Sequence, residues 1–351
     1  MKATSVSSAG ISNAMRYSQM RMQVDLVKAQ KELDTGKVAD TGLALGARTA
    51  QSVTFARDLD RLNSIVDSNA LVTSRLKSTQ DALGQIAAQA QTLLSSLTGI
   101  TSGDLTNDIT SDSGKATLQS LTSILNTSIN GEYLFAGTNT DVKPMDDFSE
   151  ANSPAKTAFD AAFFAHFTFS QDDPAAANIT AAEMTDFIDN DPQIQSLFFG
   201  ADWQKWSKAT DEPIVSRIAL NENAQTSVSA NNDGVRKLAM AASLVAQLMS
   251  SNVSNDAKNA LVDRSLSLVG EAMSSLGQIR SQTGIVEQRV TDANTRMNTQ
   301  IDLFNRHILD LEGVDPYEAA SRVNDLMTHI QTSFALTARI QQLSLLNFLT
   351  P

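Results

Sequence analysis

The sequence predicts a mainly α protein. Its N- and C-terminal regions form a long antiparallel helical rod, a coiled-coil-like bundle, and a small mixed outer domain is inserted between them. One observation is a strict alternation of four- and three-residue steps through Phe55, Leu59, Leu62, Val66, Asn69, Thr73, Leu76, Gln80, Leu83, Ala87, Ala90, Leu94 and Leu97. Another is a second such run through Ile279, Val286, Val290, Ala293, Met297, Ile301, Phe304, Ile308 and Leu311. A repeat averaging about 3.5 residues keeps one stripe of a helix facing a partner along its whole length. Forty-odd residues of helix reach roughly 65 Å at about 1.5 Å per residue, too long for an ordinary globular core. The two runs are therefore read as partners.

Proline supplies the third observation. Five of the seven prolines (Pro144, Pro154, Pro174, Pro192, Pro213) fall within residues 144–213, and none occurs in 1–143 or 214–315. Proline removes a backbone donor and clashes with the preceding helical turn, so the flanks can be nearly continuous helix and the middle cannot. Eleven of the nineteen aromatic residues lie in that window, both tryptophans (Trp203, Trp206) included, and a separate small core is expected there.

The N-terminal flank divides at glycines. Residues 11–35 place Ile11, Met15, Met22, Leu26, Ala29 and Leu33 at helical spacing, closed by Gly36 as a left-handed cap. Gly36, Gly42 and Gly46 make residues 36–48 a flexible joint, and the long helix follows over 49–98. After a turn at 99–103, a shorter helix is expected over 114–129, with Leu118, Leu121, Leu125 and Ile129 on one face. The C-terminal flank mirrors this layout, with a helix over 235–249, a turn at 250–252 and a long helix over 255–312 that Gly313 stops. Asp315, Pro316 and Glu318 then read as cap, first helical position and third position of a capping box. The last helix carries Val323, Leu326, Ile330, Phe334, Ile340, Leu343 and Leu346. In the window, 157–169 and 180–188 read as short helices, and 214–229 as a β-hairpin turning at 221–223. The expected divisions are 1–48 (assembly helix and joint), 49–140 and 230–313 (the rod halves), 141–229 (the outer domain) and 314–351 (the C-terminal assembly helix).

Composition excludes several functions. The net charge is −12 and the pI is near 4.7, the opposite of the basic footprint that nucleic acid or an anionic membrane requires. Cysteine is absent, so no disulfide framework or thiolate metal site exists. No stretch approaches the roughly 18 apolar residues of a membrane span, and residues 1–8 lack the apolar segment of a signal peptide. That combination fits a cytoplasmic protein or one exported by a route that reads no such signal.

No active site, cofactor site or metal site is found. His307 and His329 lie beside stripe positions and His166 sits among phenylalanines, so packed or surface histidines are expected. Ser74-Arg75-Leu76-Lys77 matches a serine–lysine tetrad without its companion motifs. Asp172-Asp173 and Asp189-Asn190-Asp191 lack the glycine and terminal glutamate of a calcium loop, and turns beside Pro174 and Pro192 account for them. The candidate surface is instead the apolar stripe of each terminal helix: Ile11, Met15, Met22, Leu26 and Leu33, with Val323, Leu326, Ile330, Phe334, Ile340, Leu343 and Leu346. Helices cut off by glycine are marginal alone in water; within the chain the terminal pair has only each other to pack on, and association with other subunits, which exposed stripes mark, is preferred to that intramolecular packing.

Particular strings carry a resemblance. Residues 130–139, Asn-Gly-Glu-Tyr-Leu-Phe-Ala-Gly-Thr-Asn, closely resemble the segment that ends the N-terminal rod region in the flagellin-like hook–filament junction proteins, the third hook-associated protein of the bacterial flagellum. The tail at 340–349 is similar to that family's C-terminus, and Ile11-Ser12-Asn13 and 33–37 resemble its N-terminal helix and turn. Gly42-Leu43-Ala44-Leu45-Gly46-Ala47 stands where the family usually has an Asp-Asp-Pro-like string. The resemblance implies a structural subunit exported by the flagellar type III apparatus to the extracellular flagellum. Its implied partners are the first hook-associated protein, flagellin, further copies of itself and an export chaperone. Flagellin itself is the alternative within the class, and a cytoplasmic coiled-coil scaffold the alternative outside it.

Overall fold

The structure, a computed structural model, describes residues 8–103, 106–150 and 152–349; the side chains of residues 8, 9, 12 and 340–349 lie outside the described set. Helix α1 (Ser8–Thr35) ends at Gly36, whose φ of +66° and N–H hydrogen bond to the Glu32 carbonyl (2.9 Å) make the expected left-handed cap. The segment expected as a flexible joint holds a short helix and a 3-10 turn. Asp40 caps the short helix α2 (Thr41–Leu45), and a 3-10 turn (Gly46–Arg48) leads into α3 (Thr49–Thr101).

Helix α4 spans Asn107–Leu125 rather than 114–129. Gly114 lies inside it because it meets another backbone, and Ile129 belongs to the hairpin β1 (Ser128–Ile129) and β2 (Glu132–Tyr133). Asn130 and Gly131, both at positive φ (54° and 87°), make its turn. Asn-Gly is the dipeptide that a two-residue hairpin with φ > 0 at both positions demands.

In the middle window, Ser153 and Pro154 start α5 (Pro154–Phe167), and a full Thr180/Glu183 capping box starts α6 (Ala181–Asn190). Asp191 accepts from the amides of Gln193 and Ile194 to start α7 (Pro192–Phe199), a helix where the sequence suggested only a turn. Strands β3 (Val215–Ala219) and β4 (Glu222–Gln225) form the expected antiparallel hairpin. Its turn falls earlier than 221–223, and a register shift lies between Arg217 and Ala219. Helix α8 (Asp233–Leu248) and the long α9 (Asn255–Glu312) follow, then α10 (Pro316–Leu349). Asp315 accepts from the Tyr317 amide (2.8 Å) as the expected cap, while Glu318 binds Arg322 (2.9 Å).

The chain divides into two compact units, residues 65–296 and residues 1–64 with 297–351. In the first, α3 and α9 run antiparallel: Asn69 Nδ2 donates to Asn294 Oδ1 (2.7 Å) and Gln80 to the Arg280 carbonyl (2.6 Å). Helices α4 and α8 pack so closely that a Cβ on Gly114 would lie 2.8 Å from the Ala246 nitrogen. The aromatic residues do not form a separate core, contrary to the expectation from the window's composition. Phe159, Phe187, Phe198 and Trp206 share one buried cluster with Leu83, Ile86, Leu121 and Leu244 of the bundle. The β3–β4 hairpin leans on α3 and α9 through Val72, Leu76, Ile218, Ala224 and Val290, with Glu222 held by Arg289 (2.9 Å) and Arg296 (3.2 Å).

In the other unit α1 and α10 pack along each other, and Phe55 of α3 stacks with both Phe304 (5.6 Å) and His307 (5.3 Å) of α9.

Candidate assembly surface

The α1–α10 pair is antiparallel. Gln19 donates to Thr337 (3.1 Å) at one end, and Arg322 binds Glu32 (2.9 Å) near the other. Its seam follows the stripe that periodicity gives. Ala29, Ala319 and Val323 are buried, and Met15, Met22, Leu26, Leu326 and Ile330 are half-buried. Small residues at one end let the helices approach closely, and Gln19, Ser333 and Thr337 make the opposite end polar.

The candidate surface residues thus separate into groups. Met15, Met22, Leu26, Val323, Leu326 and Ile330 line the seam within the chain, whereas Ile11, Leu33 and Phe334 are exposed. The side chains of Ile340, Leu343 and Leu346 lie outside the described residues. What the stripe reading missed lies on the other faces. Tyr17 (70 % exposed), Met20, Val24 and Val27 stand free on α1, and Tyr317, Met327 and Leu336 on α10. The missed signal was a second four–three pattern on α1, beginning two residues after Met15. Fourteen of the twenty large apolar side chains exposed among the described residues belong to this unit. That is apolar surface of the kind that marks protein contacts.

The pair is anchored where the chain enters and leaves it. Lys37 and Gly313 form an isolated antiparallel bridge, flanked by Val38 N–H to the Glu312 carbonyl (2.8 Å) and Val314 N–H to the Gly36 carbonyl (3.0 Å). Any side chain at 313 would have its Cβ 2.4 Å from the Leu309 carbonyl, so glycine is required. Glu312 accepts from the Ser52 hydroxyl and pairs with Lys37 (3.1 Å). Those partners hold its carboxyl below the usual glutamate range: Ser52 contributes most, burial opposes it, and Lys37 adds to the lowering.

Several polar groups elsewhere serve as structural ties. His166 Nδ1 meets Asp191 Oδ2 (3.0 Å) and ties α5 to the cap of α7, while Asp173 caps the 3-10 turn Pro174–Asn178 and Asp189 binds Arg264 (2.6 Å). A cleft of about 720 Å³ lies between α3 and the two hairpins, with Ser68, Thr138, Ser216 and Arg75 on its walls. Arg75 is engaged by Glu132 (2.8 Å) and the Tyr133 carbonyl (2.9 Å).

Residues 6–140 match the bacterial flagellin N-terminal helical region, and residues 266–349 match the bacterial flagellin C-terminal helical region. No curated protein sequence matches the chain. Among solved structures, one from Vibrio parahaemolyticus described as a flagellar hook-associated protein is similar in fold. Its TM-score is 0.53 at 13 % identity, covering 76 % of this chain and 97 % of that one.

Proposed function

The chain belongs to the flagellin-like bacterial flagellar proteins, and from that premise we propose that it joins hook to filament. The family is structural, and the chain is a structural subunit of the flagellum. The observation that carries the finer reading is the α1–α10 pair, closed on one seam and apolar on its outer faces. A subunit with such a pair gains order and burial by packing against neighbours, which offsets the entropy of fixing the helices. The junction is preferred to the filament proper because of the segment 130–139, and the similar Vibrio parahaemolyticus structure, described as hook-associated, agrees.

On this reading the partners are the first hook-associated protein on the hook side, flagellin distally and other copies laterally. The protein reaches the cell exterior through the flagellar type III apparatus, with a chaperone on the C-terminal helix beforehand. Flagellin itself is the second reading, favoured by the flagellin termini that the chain matches. Copy number on isolated filaments separates them, since a junction protein is scarce there and flagellin is the bulk. The decisive experiment removes residues 340–351. Cells carrying that truncation are expected to keep their hooks and shed flagellin into the medium. Normal filaments and swimming would overturn the assignment.

A further inference from the structure

A cavity of about 330 Å³ lies among the 3-10 turn Ala201–Lys205, residues 207–211, Asn231 and the first turn of α8. Its walls hold one cation and one carboxylate, Arg236 and Asp211. Arg236 Nε donates to the Asn231 carbonyl (2.8 Å), and its guanidinium lies over the Trp203 ring, 5.2 Å from the centroid. The two terminal nitrogens of that guanidinium have no partner among the described residues. One oxygen of Asp211 takes the Asn231 side-chain amide (2.8 Å), and the other has no partner among the described residues. Asn231 also accepts from the Trp203 indole (2.8 Å) and donates to the Ala209 carbonyl (2.8 Å), so one residue ties both walls.

A guanidinium held at Nε and against a ring presents its remaining N–H groups as a planar fork, the shape that matches a carboxylate. Burial pushes Arg236 below its usual value, while Asp211 and then Asp233 favour its charge. Neither forms an ion pair with it, and Asp233 is taken up by Lys237 (2.8 Å). Of the charged residues next in sequence to the lining, Lys205 pairs with Asp202 (2.9 Å) and Lys208 with Asp146 (3.0 Å). Glu212, beside Asp211 in sequence, is exposed and of the same sign. A dianion such as phosphate would be repelled by Asp211, and a lone amine would leave the guanidinium fork empty. A ligand carrying both signs satisfies both walls.

We propose that this cavity binds a small zwitterionic amino acid, its carboxylate on the Arg236 fork and its ammonium toward Asp211. The proposal is independent of the junction reading, since no residue of the terminal helices takes part. Both tryptophans of the chain stand here, Trp203 at the wall and Trp206 stacked on it (5.8 Å), so fluorescence of the full-length chain reads the cavity. Glycine, β-alanine and γ-aminobutyrate, which hold their two charges progressively further apart, are titrated beside acetate, methylamine and inorganic phosphate. At least one zwitterion is expected to give a saturable change at concentrations where the three single-sign probes give none. Arg236→Lys keeps the charge and loses the fork, and is expected to weaken that binding about tenfold or more. Asp211→Asn, at an exposed position, is expected to abolish the preference for the zwitterion over acetate. The proposal is overturned if no zwitterion saturates, or if acetate or phosphate binds as well as the best of them. Unchanged binding in a folded Arg236→Lys chain overturns it too. Should that chain melt early, Asp211→Asn decides, and an unaltered preference for the zwitterion there refutes the site.

Discussion

Ser52 and Glu312, 260 residues apart in sequence, share a hydrogen bond in which the serine hydroxyl donates to a buried carboxylate. The same glutamate pairs with Lys37 and lends its carbonyl to Val38, so the start of α3, the end of α9 and the strap after α1 meet at one side chain. Replacing the carboxylate by an amide, Glu312→Gln, removes the ion pair and weakens the Ser52 bond. The expected cost is about 1–3 kcal/mol, the usual penalty for a buried polar group that loses its partner. Faster amide exchange at Val38 and Val314, with α4 and α8 unchanged, is the measurement.

The same group sets a pH dependence. Ser52 first, and Lys37 after the opposing pull of burial, lower the Glu312 carboxyl below its ordinary range. A depressed carboxylate contributes stability above the pKa it has when unfolded, and loses it as pH falls through the folded value. Acidification is therefore expected to loosen the Lys37–Gly313 bridge, and Glu312→Gln to flatten that dependence. Identical acid profiles for the two chains would refute it.

Two glycines inside helices respond oppositely to alanine. At Gly114 the new Cβ would sit 2.8 Å from the Ala246 nitrogen and 2.9 Å from the Ala242 oxygen, so Gly114→Ala forces α4 from α8. Overpacking of this kind costs about 1–3 kcal/mol and lowers Tm. At Gly277 a Cβ meets nothing within 4 Å, so Gly277→Ala raises Tm through the roughly 0.5–1 kcal/mol propensity difference.

Val290 is fully buried against Val72, Leu76, Ile218 and Ala224. Val290→Asp places a carboxylate there without a partner, which costs several kcal/mol or opens the site locally. A lowered Tm with early exchange in β3 and β4 is expected; an unchanged Tm contradicts the packing.

In the unassembled chain, amides of α1 and α10 are expected to exchange faster than those of α4 and α8, because the pair is covered along one seam only. Protection should be best near Ala29 and Ala319, where the seam is buried, and weakest beyond Gln19 and Thr337. Assembly should slow both helices. Equal protection in the unassembled chain and the array would argue against the outer faces as contacts.

Long periodic elements were legible in the sequence because their punctuation is chemical. Asn255–Glu312 has the expected ends, since Gly313 leaves no room for a Cβ, and Gly36 takes the left-handed cap. Short elements in the window were harder. Asp191-Pro192 reads as a turn until its carboxylate is seen capping two amides of α7, and Asn130-Gly131 carried a hairpin signal that went unread. Clustered aromatics suggested a local core, but composition cannot say whether Phe198 and Trp206 pack with one another alone or also with Leu244. On α1, reading one stripe concealed the other: both obey the same period, and only burial tells a seam closed within the chain from one left open.

The antiparallel pairing of α3 with α9 also bears on how the chain acquires its fold. Asn69 finds a partner in Asn294, 225 positions further along the sequence, and contacts so distant must offset a large loop-closure entropy before they stabilise anything. A ribosome delivers the stripe of α3 long before the residues that cover it. The nascent N-terminal half therefore spends its synthesis with that stripe unpaired, exposed to aggregation and open to any factor that holds an apolar helix. Folding waits for the far end of the chain, so a product cut short before α9 has a stripe without its partner.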